Sequence, residues 1–114
     1  MDADKKSERF VISKDISWKL MDKGVERKLL CYNQDLMMTH VRFEKGGIGK
    51  LHHHPHRQVS FIESGTFEVQ IDGEKKILHK GDSFIVEADV VHGVVALEDG
   101  ALLDIFTPTR EDFL

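Results

Sequence analysis

The segment Leu51-His52-His53-His54-Pro55-His56-Arg57-Gln58 gathers four of the chain's seven histidines into five positions. Along an extended strand, residues two apart point to the same side. His52 and His54 are therefore expected to present both imidazoles to one face. Gln58, beyond the turn at Pro55, begins the next strand and returns to that face. A fourth ligand has to come from a distant strand. His92, in Val90-Val91-His92-Gly93-Val94, stands where an apolar strand has no packing use for a histidine. Three neutral imidazoles and one amide oxygen suit a divalent first-row ion with positions left open for water or substrate. A plainer reading competes: a His-rich run also occurs as a solvated loop that picks up metal adventitiously. For His92 alone, a hydrogen-bonded core histidine is the better reading. For His52, His54, Gln58 and His92 together, the spacing favours the metal. His53 falls on the opposite face by parity and His56 leaves the strand; both read as non-ligands, with contact between His56 and metal or substrate left open. His40 and His79 lie in strands away from the cluster and read as structural.

Asp104 is the second unusual residue. It sits inside Ala101-Leu102-Leu103-Asp104-Ile105-Phe106-Thr107, where a carboxylate is costly unless it is paired, hydrogen-bonded or used. Asp104 and Phe106 share a strand face. If that face is the interior, Asp104 looks toward the metal. Arg110, just past Pro108, can fold over the mouth. The residues alone support two readings equally: an acid/base carboxylate with an anion clamp, or an Asp104–Arg110 ion pair that fastens the tail. Arg42, Gln70 and Phe106 are further candidates for the pocket wall.

These side chains need a scaffold, and the pattern along the chain supplies one. A length of 114 residues is one domain's worth. Residues 1–9 are charged and aperiodic and read as a mobile tail; residues 10–114 read as a single domain. Short apolar runs are expected as strands over Ile16–Met21, Val25–Tyr32, Leu36–Phe43, Ile48–His54, Val59–Glu63, Thr66–Ile71, Lys75–His79, Ser83–Val86, Val90–Leu97 and Ala101–Thr107. Turn signals separate them, among them Asp22-Lys23-Gly24, Ser64-Gly65 and Lys80-Gly81-Asp82. No window shows a sustained helical stripe. Evenly spaced short strands point to an all-β sandwich or barrel. Phe84-Ile85-Val86 and Ala101-Leu102-Leu103 are apolar on both faces, which favours a homodimer or a second sheet.

Composition removes other classes. The net charge is −4 and the basic residues are scattered, so no nucleic-acid partner is expected. No apolar run approaches a membrane span, and the start lacks the apolar core of a signal peptide. The lone Cys31 cannot staple the fold. A cytoplasmic protein is expected.

The order His52, one residue, His54, three residues, Gln58, six residues, Gly65 resembles the first cupin motif, with Gln58 where Glu is common. Gly81, Glu87, Asp89 and His92 resemble the second, with Glu87 in place of its Pro, Asp89 in place of its Gly and Ala96 in place of its final Asn. The resemblance implies an all-β cupin (double-stranded β-helix, or jelly-roll) barrel. Cupins have many functions, so the fold alone decides little. The stretches Val41-Arg42-Phe43-Glu44-Lys45-Gly46 and Val90 to Gly100, and the ending Leu103 to Phe113, are similar to the pectin-degradation cupins of the KdgF type. That resemblance runs from Trp18 to Leu114. It implies a metal-dependent enzyme that converts 4,5-unsaturated monouronates, from pectin or alginate breakdown, to linear keto-uronates. It matches His52, His54, Gln58 and His92 to the ligands of a divalent ion (nickel, zinc, manganese, iron or cobalt). Asp104 matches the acid/base and Arg110 the companion substrate residue. The implied partners are a small anionic sugar and a second copy of the chain. Two alternatives stay open: a metal-dependent dioxygenase on the same barrel, and a non-catalytic cupin that binds a small ligand.

Overall fold

The computed structural model describes residues 5–114. Ten strands run through it: β1 (Lys19–Asp22), β2 (Val25–Tyr32), β3 (Met37–Phe43), β4 (Ile48–His52), β5 (Arg57–Ser64), β6 (Thr66–Ile71), β7 (Glu74–His79), β8 (Ser83–Val86), β9 (His92–Ala96) and β10 (Gly100–Thr107). Short 3-10 turns at Ser13–Asp15 and Glu111–Phe113 flank them. A six-stranded sheet has the order β1-β2-β3-β10-β5-β8 and a four-stranded sheet the order β4-β9-β6-β7. Every pairing is antiparallel. This is the expected all-β barrel of two facing sheets.

The core follows from period-two alternation. In β5, Gln58, Ser60 and Ile62 are buried while Arg57, Val59, Phe61 and Glu63 are exposed. Ile62 and Leu102 from the large sheet meet Phe67, Val69, Val94 and Ala96 from the small one. Phe43 packs edge-on against Phe67, with ring centroids 5.1 Å apart. The apolar core fills one end of the barrel. At the other end the inward positions carry Gln58, Ser60, Asp104 and His92, all buried.

The tight turn after β5 depends on Gly65. Its φ is +79°, and a Cβ there would meet the Asp99 carbonyl oxygen at 2.5 Å. Gly93 has a different reason: a Cβ would lie 2.7 Å from the Gly49 oxygen. Its bareness lets β9 close on β4 beside His92.

Several element boundaries differ from the sequence expectation. The first strand begins at Lys19 rather than Ile16, because Ser13–Asp15 winds into a 3-10 turn. The strand expected over Ile48–His54 ends at His52, so His54 lies in the following loop. The expected Val90–Leu97 strand is confined to His92–Ala96. Of the tail expected over 1–9, residues 1–4 lie outside the described residues. Within 5–9, the Ser7 amide donates to the Tyr32 carbonyl at 2.9 Å. Among the described residues, no helix is long and apolar enough to cross a membrane.

Candidate metal centre and cavity

His52 and His92 are direct cross-strand partners in the β4–β9 ladder. That register sets their rings 4.4 Å apart. His54 comes from the loop, and the strand-parity argument does not place it. Its position is fixed by one backbone bond and one ring-to-backbone bond instead. The Asp89 amide donates to the His54 carbonyl at 2.7 Å, and His54 Nδ1 lies 2.9 Å from the His56 carbonyl. The ring then stands 4.9 Å from His92 and 5.5 Å from His52. One ligand atom from each of the three imidazoles falls within 4.8 Å of the other two.

Hydrogen bonding fixes which nitrogens these are. His52 Nδ1 lies 2.7 Å from the Lys50 carbonyl and His92 Nδ1 lies 2.9 Å from the Val90 carbonyl. A carbonyl only accepts, so in all three rings Nδ1 carries the proton and donates. The lone pair is left on Nε2. Such second-partner bonds are the usual means of orienting a metal-binding imidazole. His92 Nε2 is buried and has no hydrogen-bond partner among the described residues. Burial pushes the His92 pKa down to about 4. Burial, then the nearby Arg110, lowers that of His54. Three ε-directed imidazoles, with His54 and His92 held neutral by burial and one buried lone pair orphaned, fit a divalent cation.

Gln58 joins this group from β5. Its Oε1 lies 3.1 Å from His54 Nε2. Its Nε2 donates to Ser60 Oγ at 2.9 Å and to Asp104 Oδ1 at 3.4 Å. The amide oxygen therefore faces the imidazoles and the amide nitrogen faces the carboxylate.

Asp104 is paired across the β10–β5 ladder with Ser60, and Phe106 with Gln58. Ser60 Oγ donates to Asp104 Oδ1 at 2.5 Å. Burial raises the Asp104 pKa to about 6, against the opposing pull of Ser60, Arg110, Gln58 and Arg27. Both donors engage Oδ1, so Oδ2 has no side-chain partner among the described residues. Arg110 does not form an ion pair with Asp104. It is held by Asp112 through Nε at 3.0 Å and Nη2 at 2.8 Å.

A cavity of about 210 Å³ is lined by His52, Gln58, His92, Asp104, Phe106 and Arg110, among others. That lies below the ~300 Å³ lower end of ordinary ligand pockets and suits a ligand of about one sugar ring. Larger hollows lie on the outer surface and hold none of the histidines grouped above. Of the other pocket candidates, Phe106 lines the cavity while Arg42 and Gln70 do not. Arg42 is on the outside, paired with Glu26 at 2.9 Å and stacked on Trp18. His53 points outward beside Asp89, His40 packs on Trp18, and His79 sits at the surface near Asp82. His56 stands outside the triad, with its buried Nδ1 unpartnered among the described residues. Two further cavity residues, Arg27 and Phe113, are invisible to a search for ligand spacing. The alternation of β2 places Arg27 inward, a signal that a charged residue in that strand could have given.

A cupin domain model matches residues 39–106. The chain is 44% identical to the pectin degradation protein KdgF of Dickeya dadantii (strain 3937), over 93% of this chain and 98% of that one. Among solved structures, KdgF from Halomonas sp. superposes with a TM-score of 0.90 at 37% identity, covering 95% of this chain and all of that one. An RmlC-like cupin from Shewanella frigidimarina NCIMB 400 superposes with a TM-score of 0.93 at 40% identity, covering 96% and 98% of the two chains. With both sheets, the histidine group and near-full-length similarity in agreement, the chain belongs to the cupin family and, within it, to the KdgF group.

Proposed function

We propose that this protein opens the ring of 4,5-unsaturated monouronates, the sugars left when lyases cleave pectin or alginate, and yields the linear keto-uronate. One observation carries the reading. A buried carboxylic acid, Asp104, lines the same sugar-sized cavity as His52 and His92. The similarity to a pectin degradation protein supports the substrate class.

In this reading His52, His54, His92 and the Gln58 amide oxygen hold a divalent ion: nickel, zinc, manganese, iron or cobalt. Such an ion would supply a Lewis acid for an oxygen of the substrate. Gln58 is neutral where a glutamate would cancel one unit of charge, so the site favours an anion.

The rest falls to the chain's own groups. Ring opening needs a proton on the alkene carbon remote from the ring oxygen. Water then adds at the carbon bearing the carboxylate. The resulting hemiketal opens to an aldehyde and a hydrated ketone, which returns the water. Asp104 is the proton donor and, once ionised, the acceptor. Ser60 donates to Oδ1, so the proton of the acid form sits on Oδ2. Burial raises the Asp104 pKa to about 6, close enough to the working pH for the group both to give and to take a proton. Phe106 forms an apolar wall on the same strand face, and Arg110 adds positive charge at the mouth.

The assembly is a homodimer, built on the outer face of the large sheet. Across four strands the register aligns Ile85 with Val59, Val59 with Ile105, and Ile105 with Met38. Phe61 and Leu103 form the next row. Val59, Phe61 and Ile85 are exposed in the single chain, and a contiguous apolar stripe of this kind marks an association surface. Cys31, exposed and unpaired, suits the reducing cytoplasm.

Proton NMR of a lyase-generated monouronate incubated with the protein tests the reaction. Loss of the vinyl proton in step with appearance of the linear product, well above the spontaneous rate, is expected. An unchanged rate with metal-loaded protein contradicts it.

A further inference from the structure

Arg27 is buried on the inner face of β2 and lines the cavity with Asp104 and Arg110. Its guanidinium makes no hydrogen bond or ion pair among the described residues. Its one specific contact is aromatic: Cζ lies 3.7 Å from the centre of the Phe113 ring. Arg110 approaches the same ring at 4.2 Å. Phe113 belongs to the 3-10 turn Glu111–Phe113 that follows β10. One C-terminal ring thus brings two guanidinium groups together beside the cavity. They disfavour each other's charge: burial, then Arg110, lowers the pKa of Arg27.

The two arginines differ in what they have left to offer. Arg110 spends its Nε–Nη2 edge on both oxygens of Asp112. A guanidinium binds a carboxylate bidentately through just such an edge. Arg27 has five N–H donors and no acceptor for any of them. Asp112 and Asp104 are near enough to favour its charge without bonding to it, and the cation–π contact with Phe113 orients the group without satisfying its donors. Those donors are free for an anion in the cavity.

We propose that Arg27 is a substrate-binding residue and supplies the bidentate anchor for the ligand's carboxylate, while Arg110, tied to Asp112, contributes charge and holds the C-terminal turn. This rests on the uronate reading above. It places the carboxylate beside β2, in the cavity that His52, His92 and Asp104 also line. An anchor held equally in the ground and transition states sets KM rather than kcat.

Calorimetric titration of metal-loaded protein with galacturonate, a saturated uronate, and with galactose, its neutral counterpart, separates the possibilities. The parent is expected to prefer galacturonate. Arg27→Gln is expected to lose about tenfold or more in galacturonate affinity, the scale of a charge-assisted bidentate bond, with metal content and melting temperature kept. Arg27→Lys, which retains charge without the planar edge, is expected to recover part of it. Equal galacturonate binding by parent and Arg27→Gln overturns the assignment and leaves the uronate reading standing. A parent that does not distinguish the two sugars overturns the uronate reading, and the anchor with it. Should Arg27→Gln fail to fold, Arg27→Lys decides alone: a raised KM on the unsaturated monouronate at unchanged kcat is expected, and an unchanged KM contradicts the proposal.

Discussion

His54 Nε2 and Gln58 Oε1 face each other at 3.1 Å with no proton between them. The His54 proton is on Nδ1, donated to the His56 carbonyl, and burial keeps the ring neutral. The Gln58 amide hydrogens are turned to Ser60 and Asp104. Two lone pairs held together in a buried site repel unless a cation lies between them. Ser60 and Asp104 fix the amide in that orientation, so the proposed acid/base and ligand roles meet at one side chain.

The first prediction concerns the ligands. His92→Ala removes an inward lone pair that has no other partner. Metal stoichiometry, read by elemental analysis, is expected to fall well below one per chain while the strands persist by circular dichroism. The parent is expected to melt at a higher temperature with metal than after chelation, since an ion bound only by the folded state stabilises it. Equal metal content in parent and variant contradicts the ligand set.

Asp104→Asn separates acid/base work from metal holding. The amide keeps the shape and the contact with Ser60, and it loses the transferable proton. Metal content is expected to be unchanged and kcat to fall about 100-fold or more, the scale of general acid–base catalysis. Full turnover by this variant removes Asp104 from the mechanism.

Ser60→Ala tests the proton's address. Ser60 donates to Asp104 Oδ1 and favours its ionised form. Without that bond the acid holds its proton to higher pH. The alkaline fall in rate that tracks loss of this proton is expected to move upward in pH relative to the parent. An unmoved or downward-shifted limb contradicts the assignment.

His92 and Asp104 pull the stability of the metal-free protein in opposite directions with pH. Burial holds the His92 pKa at about 4, against 6.5 for a free imidazole. Its contribution is full above 6.5 and is lost as pH falls toward 4. Burial holds the Asp104 pKa at about 6, against 3.8. Its contribution is full below 3.8 and is lost as pH rises through 6. Asp104→Asn removes the second effect and leaves the first. Denaturant unfolding at about pH 4.5 and about pH 6.5, within that window, is expected to show a larger gain with pH in the variant than in the parent. An equal or smaller gain contradicts the burial-driven shift.

Phe61→Glu places a charge in the apolar stripe of the large sheet, on a face away from the cavity. Sedimentation is expected to show a dimer for the parent and a monomer for the variant. A monomeric parent contradicts the homodimer.

Much of this was legible in the sequence because it depends on residue type and short-range pattern. Val25–Tyr32, Thr66–Ile71 and Ser83–Val86 are strands over the expected spans, since each is bounded by a turn signal on both sides. His52, His54 and His92 come together as expected, yet the reason differs for His54. Parity assumed a strand that continues to residue 54, whereas the chain leaves β4 at His52 and bonds from Asp89 and to His56 set the ring. The bond from Asp89, 35 positions away in sequence, leaves no local pattern. Arg27 was missed for a related reason. Arg27 sits between Glu26 and Lys28, a charged run that reads as solvent-facing; its alternation with Val25 points it inward, and Phe113, from the far end of the chain, encloses it. The sequence leaves Arg110 open between an anion clamp and an ion pair with Asp104; the 3-10 turn brings Asp112 back to it over two residues.

The most direct test follows ultraviolet absorbance of the enol ether in a lyase-generated monouronate. Three samples are compared: metal-loaded protein, protein stripped by a chelator, and stripped protein with metal restored. Rapid loss of absorbance in the first, a near-spontaneous rate in the second and recovery in the third is the expected result. A spontaneous rate in all three, with metal content verified, contradicts ring opening at this centre.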